Sequence, residues 1–278
     1  MLDRFFLRVF MSRYGKSWLR RLSAKQAEKL LLFSSSAVFA QHDSKSRYAM
    51  LREFSKRRGL YKVPLMASWE YARVFACFRM VEQIKDVPGD IVEFGVGRGI
   101  SLAYFSYAVS WMKLNKMVYG FDSFEGFPEA AVEDISNRSP EVGKPPSGWQ
   151  DTSPELIHSI FELDKVKEGA QSLIHSHDVT VKLFKGFFQD TVSDESLPPK
   201  IALIHVDCDM YESTKFVLEK ALPRMQPGGL VIFDEYGDEN WPGEKQAADQ
   251  VAQELKLAIV YFDYAQKYGI VIPDDFQL

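Results

Sequence analysis

Asp207 and Asp209 in His205-Val-Asp-Cys-Asp-Met-Tyr-Glu-Ser-Thr214, and Asp234 and Glu235 in Phe233-Asp-Glu-Tyr236, each follow a run rich in β-branched and large apolar residues, so all four acids fall at the ends of predicted strands. If those strands run parallel, Asp207, Asp234 and Glu235 emerge in one crevice at the carboxyl edge of the sheet. Carboxylates gathered in that way raise one another's pKa unless a cation joins them, and an all-oxygen set suits Mg²⁺ or a similar hard ion. Taken singly the acids have plainer uses: Asp209 as a cap on the helix that starts near Tyr211, Asp234 and Glu235 as loop acids.

A second group lies upstream. Val92-Glu-Phe-Gly-Val-Gly-Arg-Gly99 places Gly95, Gly97 and Gly99 between a predicted strand and the next helix, where glycines let a ligand approach the backbone and the helix start offers N–H groups. The spacing is Gly-x-Gly-x-Gly instead of Gly-x-Gly-x-x-Gly. Glu93, at the strand end, is suited to place a cationic ligand near the turn. Asp122 closes the next strand, where a carboxylate accepts hydrogen bonds from ribose hydroxyls. A plain strand-to-helix turn remains the alternative for the glycines. Other candidates are weaker. His175 and His177 alternate at a strand approach and read as exposed, His205 as a hydrogen-bonded core residue, and Cys208 as a thiol without a basic partner.

The elements that must position these residues follow from periodicity. From Asp90 onward, short β-rich runs at 90–94, 117–122, 179–184, 201–206, 229–233, 257–262 and 269–272 alternate with helical stretches. The expectation is an α/β, doubly wound, seven-stranded, mainly parallel sheet closed by a short antiparallel hairpin. Between about 128 and 163 the alternation is broken by prolines, glycines and scattered acids, too long for an ordinary connection and placed beyond a strand's carboxyl end, as a lid would be. The organisation predicted is an N-terminal helical, basic extension over 1–62 and one α/β domain over 63–278.

Composition sets the outer limits. The 278 residues are 46% hydrophobic and 26% charged with two cysteines, which excludes collagen-like, disulfide-dense and wholly disordered chains and fits a reducing, cytoplasmic setting. No apolar run is long enough to span a membrane. The net charge of −4 is uneven: residues 1–30 hold eight Lys or Arg against two acids, net +6, leaving 26 basic and 36 acidic residues, net −10, elsewhere. A body that negative is a poor nucleic-acid partner. Leu2, Phe5, Phe6, Val9 and Phe10 fall on one face of a helix, with Arg4 and Arg8 leaving it. Such a helix docks on its own core or a second subunit, giving a homo-oligomer, or rests on the inner face of a membrane as a peripheral contact.

Glu93-Phe-Gly-Val-Gly-Arg-Gly99, Phe121-Asp-Ser-Phe-Glu-Gly-Phe-Pro128, Lys185-Gly-Phe-Phe-Gln-Asp-Thr191, His205 to Thr214, and Asp234-Glu-Tyr236 followed by Trp241-Pro-Gly-Glu together resemble the macrocin O-methyltransferase (TylF-type) family, from about residue 63 to the C-terminus. The resemblance implies a class I S-adenosylmethionine (SAM) methyltransferase fold and Mg²⁺-dependent methylation of a sugar hydroxyl on a small-molecule or glycan acceptor. It implies Asp207, Asp234 and Glu235 as metal ligands and Asp209 as general base. Glu93, Gly95, Gly97, Gly99, Asp122 and Ser123 make up the cofactor-binding set. Glu235 departs from the second Asp of many members, and residues 1–60 match none of the motifs. Two competing readings are a metal-dependent glycosyltransferase using Asp207-x-Asp209, which leaves the glycine turn and Asp122 without work, and a catalytically inactive membrane-associated scaffold, which leaves all four acids without work.

The basic arm is not needed for such chemistry, so its role is placement. Each basic residue near an anionic membrane contributes about 1 kcal/mol at low salt and much less at high salt. Deleting residues 1–30 is expected to abolish salt-sensitive binding to anionic liposomes while sparing methylation of a soluble acceptor. Recovery of an inactive monomer would make the arm a subunit contact instead.

Overall fold

The computed structural model describes residues 68–150, 152–154, 171–176 and 179–277. The chain divides into two compact units, Met1–Phe75 and Ala76–Leu278. The amphipathic arm predicted over residues 1–30 lies outside the described residues, as does His177. Among the described residues no helix is long and apolar enough to cross a membrane.

In chain order the elements are α1 (Ser68–Gln83), β1 (Asp90–Phe94), α2 (Ile100–Trp111), β2 (Val118–Asp122), β3 (Gln171–Ser176), β4 (Val179–Lys185), α3 (Phe188–Thr191), β5 (Ile201–Val206), α4 (Tyr211–Ala221), β6 (Met225–Phe233), α5 (Pro242–Glu254), β7 (Ile259–Phe262) and β8 (Lys267–Val271). They form one sheet of order β3-β4-β2-β1-β5-β6-β8-β7. β4, β2, β1, β5 and β6 are parallel, while β3 against β4 and β8 against both β6 and β7 are antiparallel. The doubly wound sheet expected from the sequence is present, with one strand more than the seven anticipated. β3 is mostly polar, Gln-Ser-Leu-Ile-His-Ser, and takes strand form by pairing with β4 at the sheet edge. Its His175 pairs with Thr180 in the backbone ladder. The closing hairpin folds back so that β8, not β7, lies beside β6.

The central strands read as continuous apolar runs because helices cover both faces. All six residues of β5 are buried, and Phe94, Phe121, Ile201 and Phe233 are fully enclosed. Phe121 stacks on Phe184 with ring centroids 4.4 Å apart and on Phe94 at 5.3 Å. α4 buries Ser213, Thr214, Val217, Leu218 and Ala221, and α5 buries Ala247, Ala248, Val251 and Ala252, each a helical face set against the core.

Register decides what reaches the carboxyl edge. Phe94, Val206 and Phe233 lie side by side across β1, β5 and β6. The ladder runs one residue further: the Asp207 N–H donates to Phe94 O (2.8 Å), the Asp234 N–H to Val206 O (2.9 Å) and the Gly95 N–H to Phe121 O (2.9 Å). Gly95, Asp207 and Asp234 therefore leave the sheet at one level, at the point between β1 and β5 where the strand order reverses, the place where open α/β sheets bind ligands.

The long insertion after β2 is anchored over its described part. Asp134, in a single 3-10 turn at Val132–Asp134, accepts the Ala131 N–H (2.8 Å) on Oδ2 and the Tyr211 N–H (2.7 Å) on Oδ1. Ser136 donates to Asn240 O, and the Gln246 amide donates to Glu133 O. Gly243 makes the contact between Asp134 and Tyr211 possible, since a Cβ there would fall 1.8 Å from Asp134 Oδ1 and 2.7 Å from Tyr211 N. Gly243→Ala is therefore expected to expel Asp134 from the start of α4, lowering stability by about 1–3 kcal/mol. Amide hydrogen exchange at Ala131 and Tyr211 should quicken, and unchanged protection at both would refute the anchor.

Candidate functional site

The glycine turn lies against the first acidic loop. Gly95 has φ +89°, and a Cβ on it would lie 1.8 Å from Asp207 O, so the two loops meet backbone to backbone only because that position is glycine. At Gly97, φ +51°, a Cβ would come 3.1 Å from the ring of Trp149, which reaches over the turn from the insertion. Gly99 leads into α2. Asp122 ties the turn to β2, accepting the Gly97 N–H on Oδ2 (2.7 Å) and the Phe124 N–H on Oδ1 (2.6 Å). Burial pushes its carboxyl above the usual range, opposed by those N–H groups. Each oxygen keeps further acceptor capacity, so the geometry fits a ligand offering hydroxyls there. Ser123 is committed to its own turn, donating to Gly126 O (2.7 Å) and accepting the Glu125 N–H (3.1 Å).

The carboxylates gather as the register requires. One oxygen each from Asp207, Asp234 and Glu235 lies within 4.8 Å of the others, an all-oxygen set of the kind that holds a hard divalent cation. Burial and then the Asp234 charge raise the Glu235 carboxyl to about 8, against the pull of Lys267. Asp209 is buried beside them with φ +62°, a strained conformation for a residue with a side chain. Burial raises its carboxyl well above the carboxylate range, with the charges of Asp207, Glu235, Glu244 and Asp234 adding to the effect. The helix-cap alternative for Asp209 fails: α4 begins after Met210 with no side-chain cap from its own loop, and its Tyr211 N–H is taken by Asp134.

Two residues not singled out in the sequence complete the cluster. Glu244, in the first turn of α5, is fully buried and accepts the Glu235 N–H on Oε1 (2.7 Å), while its Oε2 has no hydrogen-bond partner. Burial and the surrounding acids push its carboxyl well up. Its only sequence signal is its place after Trp241-Pro-Gly. Lys267 Nζ stands 3.1 Å from Asp234 Oδ1 and also donates to Asp234 O. Nothing in the sequence flags it, because it arrives only through the insertion of β8 beside β6.

Behind the crevice, His205 joins the two groups. Its Nδ1 is 2.9 Å from Glu93 Oε1 and its Nε2 is 3.4 Å from Asp234 Oδ1, with all three side chains buried. Burial works against a charged ring, but hydrogen bonds and charge from Asp234 and Glu93 outweigh it and bring the pKa up to about 10, so the ring is an imidazolium at neutral pH. Glu93 thus meets His205 from within the sheet, and its adjacency to the glycine turn is through the backbone. Cys208 is buried, and desolvation with the nearby acids holds its thiol well above the usual range, an inert group as expected.

Residues 70–265 match the Macrocin-O-methyltransferase (TylF) family. The chain belongs to that family. A relative named 8-demethyl-8-(2,3-dimethoxy-alpha-L-rhamnosyl)-tetracenomycin-C 4'-O-methyltransferase, from Streptomyces olivaceus, is 32% identical over 54% of this chain and 54% of its own. Mycinamicin III 3''-O-methyltransferase of Micromonospora griseorubida is 29% identical over 54% of this chain and 56% of its own. The chain thus matches just over half the length of these curated relatives. The structure of the O-methyltransferase NovP superposes with a TM-score of 0.57 at 21% identity, covering 88% of this chain and 99% of that one, so the two share the doubly wound α/β fold. The TylF family is an enzyme family, and the matched range takes in the glycine turn, the two acidic loops and the start of α5.

Removing the central cation tests the site's electrostatics. His205→Leu leaves Glu93 and Asp234 buried without it and is expected to lower the unfolding free energy by about 3–5 kcal/mol, the usual loss when a buried ion pair is broken on one side. Adding Glu93→Gln to that variant should recover part of the loss in denaturant titrations. A single-variant loss below about 1 kcal/mol would mean that the carboxylates do not depend on the ring.

Proposed function

We propose that this protein is a SAM-dependent O-methyltransferase acting on a sugar hydroxyl of a glycosylated small molecule, with a divalent cation such as Mg²⁺ at the carboxylate cluster. The observation that carries the reading is the backbone contact between Gly95 and Asp207, which sets a cofactor-type turn directly against an all-oxygen cation-type site. The names of the matched relatives support the acceptor class, since both specify a hydroxyl position. A glycosyltransferase built on Asp207-x-Asp209 is disfavoured because it leaves the turn, Asp122 and the covering Trp149 without work.

SAM supplies an already activated methyl group, and the cation supplies positive charge that lowers the pKa of a hydroxyl, which is otherwise a poor nucleophile at neutral pH. Glu93, Gly95, Gly97, Gly99, Asp122 and Ser123 form the cofactor side, with Glu93 and Ser123 holding the turns and Asp122 available to ribose hydroxyls. Asp207, Asp234 and Glu235 hold the cation, and Lys267 and Glu244 fix Asp234 and Glu235 in place. Asp209 accepts the hydroxyl proton. Trp149, over Gly97, keeps water from the turn. Residues 1–30 serve to place this cytoplasmic enzyme, against a membrane or a second subunit.

S-adenosylhomocysteine (SAH) should raise the melting temperature, as any ligand of the folded state does, and a nucleotide sugar should not. EDTA is expected to abolish turnover and Mg²⁺ to restore it, while SAH binding largely survives chelation; full turnover after exhaustive chelation would remove the cation from the mechanism. Asp209→Asn should reduce the rate by about 10² or more with cation and SAH binding retained, the usual size of a general-base contribution. Asp207→Asn should instead weaken the cation. Equal losses of Mg²⁺ affinity in the two variants, read by calorimetry, would refute the separate roles.

A further inference from the structure

The loop that carries Asp209 is fixed at its two ends from different directions. At one end the Asp207 N–H donates to Phe94 O (2.8 Å), continuing the sheet; at the other the Tyr211 N–H, the first of α4, donates to Asp134 Oδ1 (2.7 Å). Between them the Met210 N–H turns back to Cys208 O (2.6 Å), and Asp209 is left-handed at φ +62°. The first helical bond of α4 runs from the Thr214 N–H to Met210 O (2.9 Å), so the Tyr211 N–H has no carbonyl of its own helix to meet. Its natural local acceptor is the Asp209 carboxylate, since an aspartate readily bonds the N–H two residues on and tolerates a left-handed backbone. In this structure that N–H is already taken, by a residue 77 positions upstream.

Asp134 is built for that contact. Its Oδ2 accepts the Ala131 N–H (2.8 Å), which fixes the plane of the carboxylate and aims Oδ1 at the start of α4. The turn that carries it is tied on both sides, by Ser136 Oγ to Asn240 O and by the Gln246 amide to Glu133 O. It enters a slot that exists only because residue 243 has no Cβ. A carboxylate at the amino end of a helix also meets the positive end of its dipole, so α4 keeps an acidic partner without drawing on its own loop. Asp209 is thereby spared: its side chain is buried among Asp207, Glu235, Glu244 and Asp234 instead of folding onto Tyr211. We propose, resting on the methyltransferase reading, that Asp134 is a positioning residue for the general base: by taking the Tyr211 N–H it keeps the Asp209 carboxylate out of a local turn and among the acids, where the acceptor hydroxyl must lose its proton. Because Asp134 belongs to the insertion, seating that segment against α4 and α5 is what frees the base.

The test is amide hydrogen exchange at Tyr211, read by NMR on the full chain, with the amides of β5 as the internal measure of global stability. Asp209→Gly removes the carboxylate and suits the left-handed position; alone it should leave Tyr211 exchange within about threefold of native, because Asp134 holds that N–H. With Asp134→Ala in place, Asp209 captures the N–H, and adding Asp209→Gly should then quicken Tyr211 exchange about tenfold or more, the loss of a charge-assisted hydrogen bond. Asp134→Asn, whose amide oxygen still accepts the N–H, should restore the indifference to Asp209→Gly. Gly243→Ala expels Asp134 by a second route and should reproduce the dependence on Asp209 even if Asp134→Ala does not fold. Equal effects of Asp209→Gly with and without Asp134 overturn the proposal, since a purely structural cap would leave Tyr211 indifferent to Asp209 in both backgrounds. The melting shift with SAH, measured on the same samples, keeps the two ideas apart: coupling without a shift removes the methyltransferase reading alone, and a shift without coupling removes the positioning role alone.

Discussion

Glu93 and five further acids, Asp207, Asp209, Asp234, Glu235 and Glu244, are brought close together at the carboxyl edge of one sheet, and His205 and Lys267 are cationic groups that meet them among the described residues. Buried carboxylates without compensation cost several kcal/mol each, so the fold must neutralise them, protonate them or bind a cation. All three responses have a counterpart here. His205 is driven to its charged form between Glu93 and Asp234, Glu235 and Asp209 are pushed toward protonation, and Asp207, Asp234 and Glu235 converge at ligand spacing. The imidazolium matters most because it lies in the sheet itself, on the strand between the turn and the second acidic loop. It couples the position of β1 to that of β6.

Around that centre the charge is sorted in space. The acids occupy the crevice above β5 and β6, while Arg98 and Arg138 lie on tryptophans of the insertion and of the loop before α5. The aromatic rings restrict guanidinium groups that would otherwise sample many rotamers.

The insertion is best understood as part of the site's frame. Asp134 supplies the hydrogen bond that the first turn of α4 lacks from its own loop, which leaves Asp209 in a strained backbone and its carboxylate among the other acids. Gly243 is the complement of that arrangement, since only a residue without Cβ lets Asp134 approach. The Trp-Pro-Gly-Glu stretch thus does three things in four residues: it holds Arg138, starts α5, and passes the Glu244 carboxylate to the Glu235 backbone.

The strand and helix pattern of the core was legible because β1, β2, β5 and the last five residues of β6 are buried on both faces and read as largely apolar runs, while β4 shows the alternation of a strand with one more open face. The glycine turn and the acidic loops were legible because they directly follow such runs, so their level in the sheet follows from the strands' own ends. β3 was not legible, because a polar edge strand has no periodicity of its own and exists through its partner. The pairing of β8 with β6 was hidden for a related reason, since a hairpin's sequence does not say which of its strands turns inward. Asp134, Lys267 and the bridging role of His205 depend on distances across 77, 33 and 112 positions of the chain. Local sequence therefore determined which chemical groups are present and at which strand ends they sit. Tertiary structure alone decided which of them share a proton, a charge or a helix terminus, because those relations arise between segments that only packing brings together.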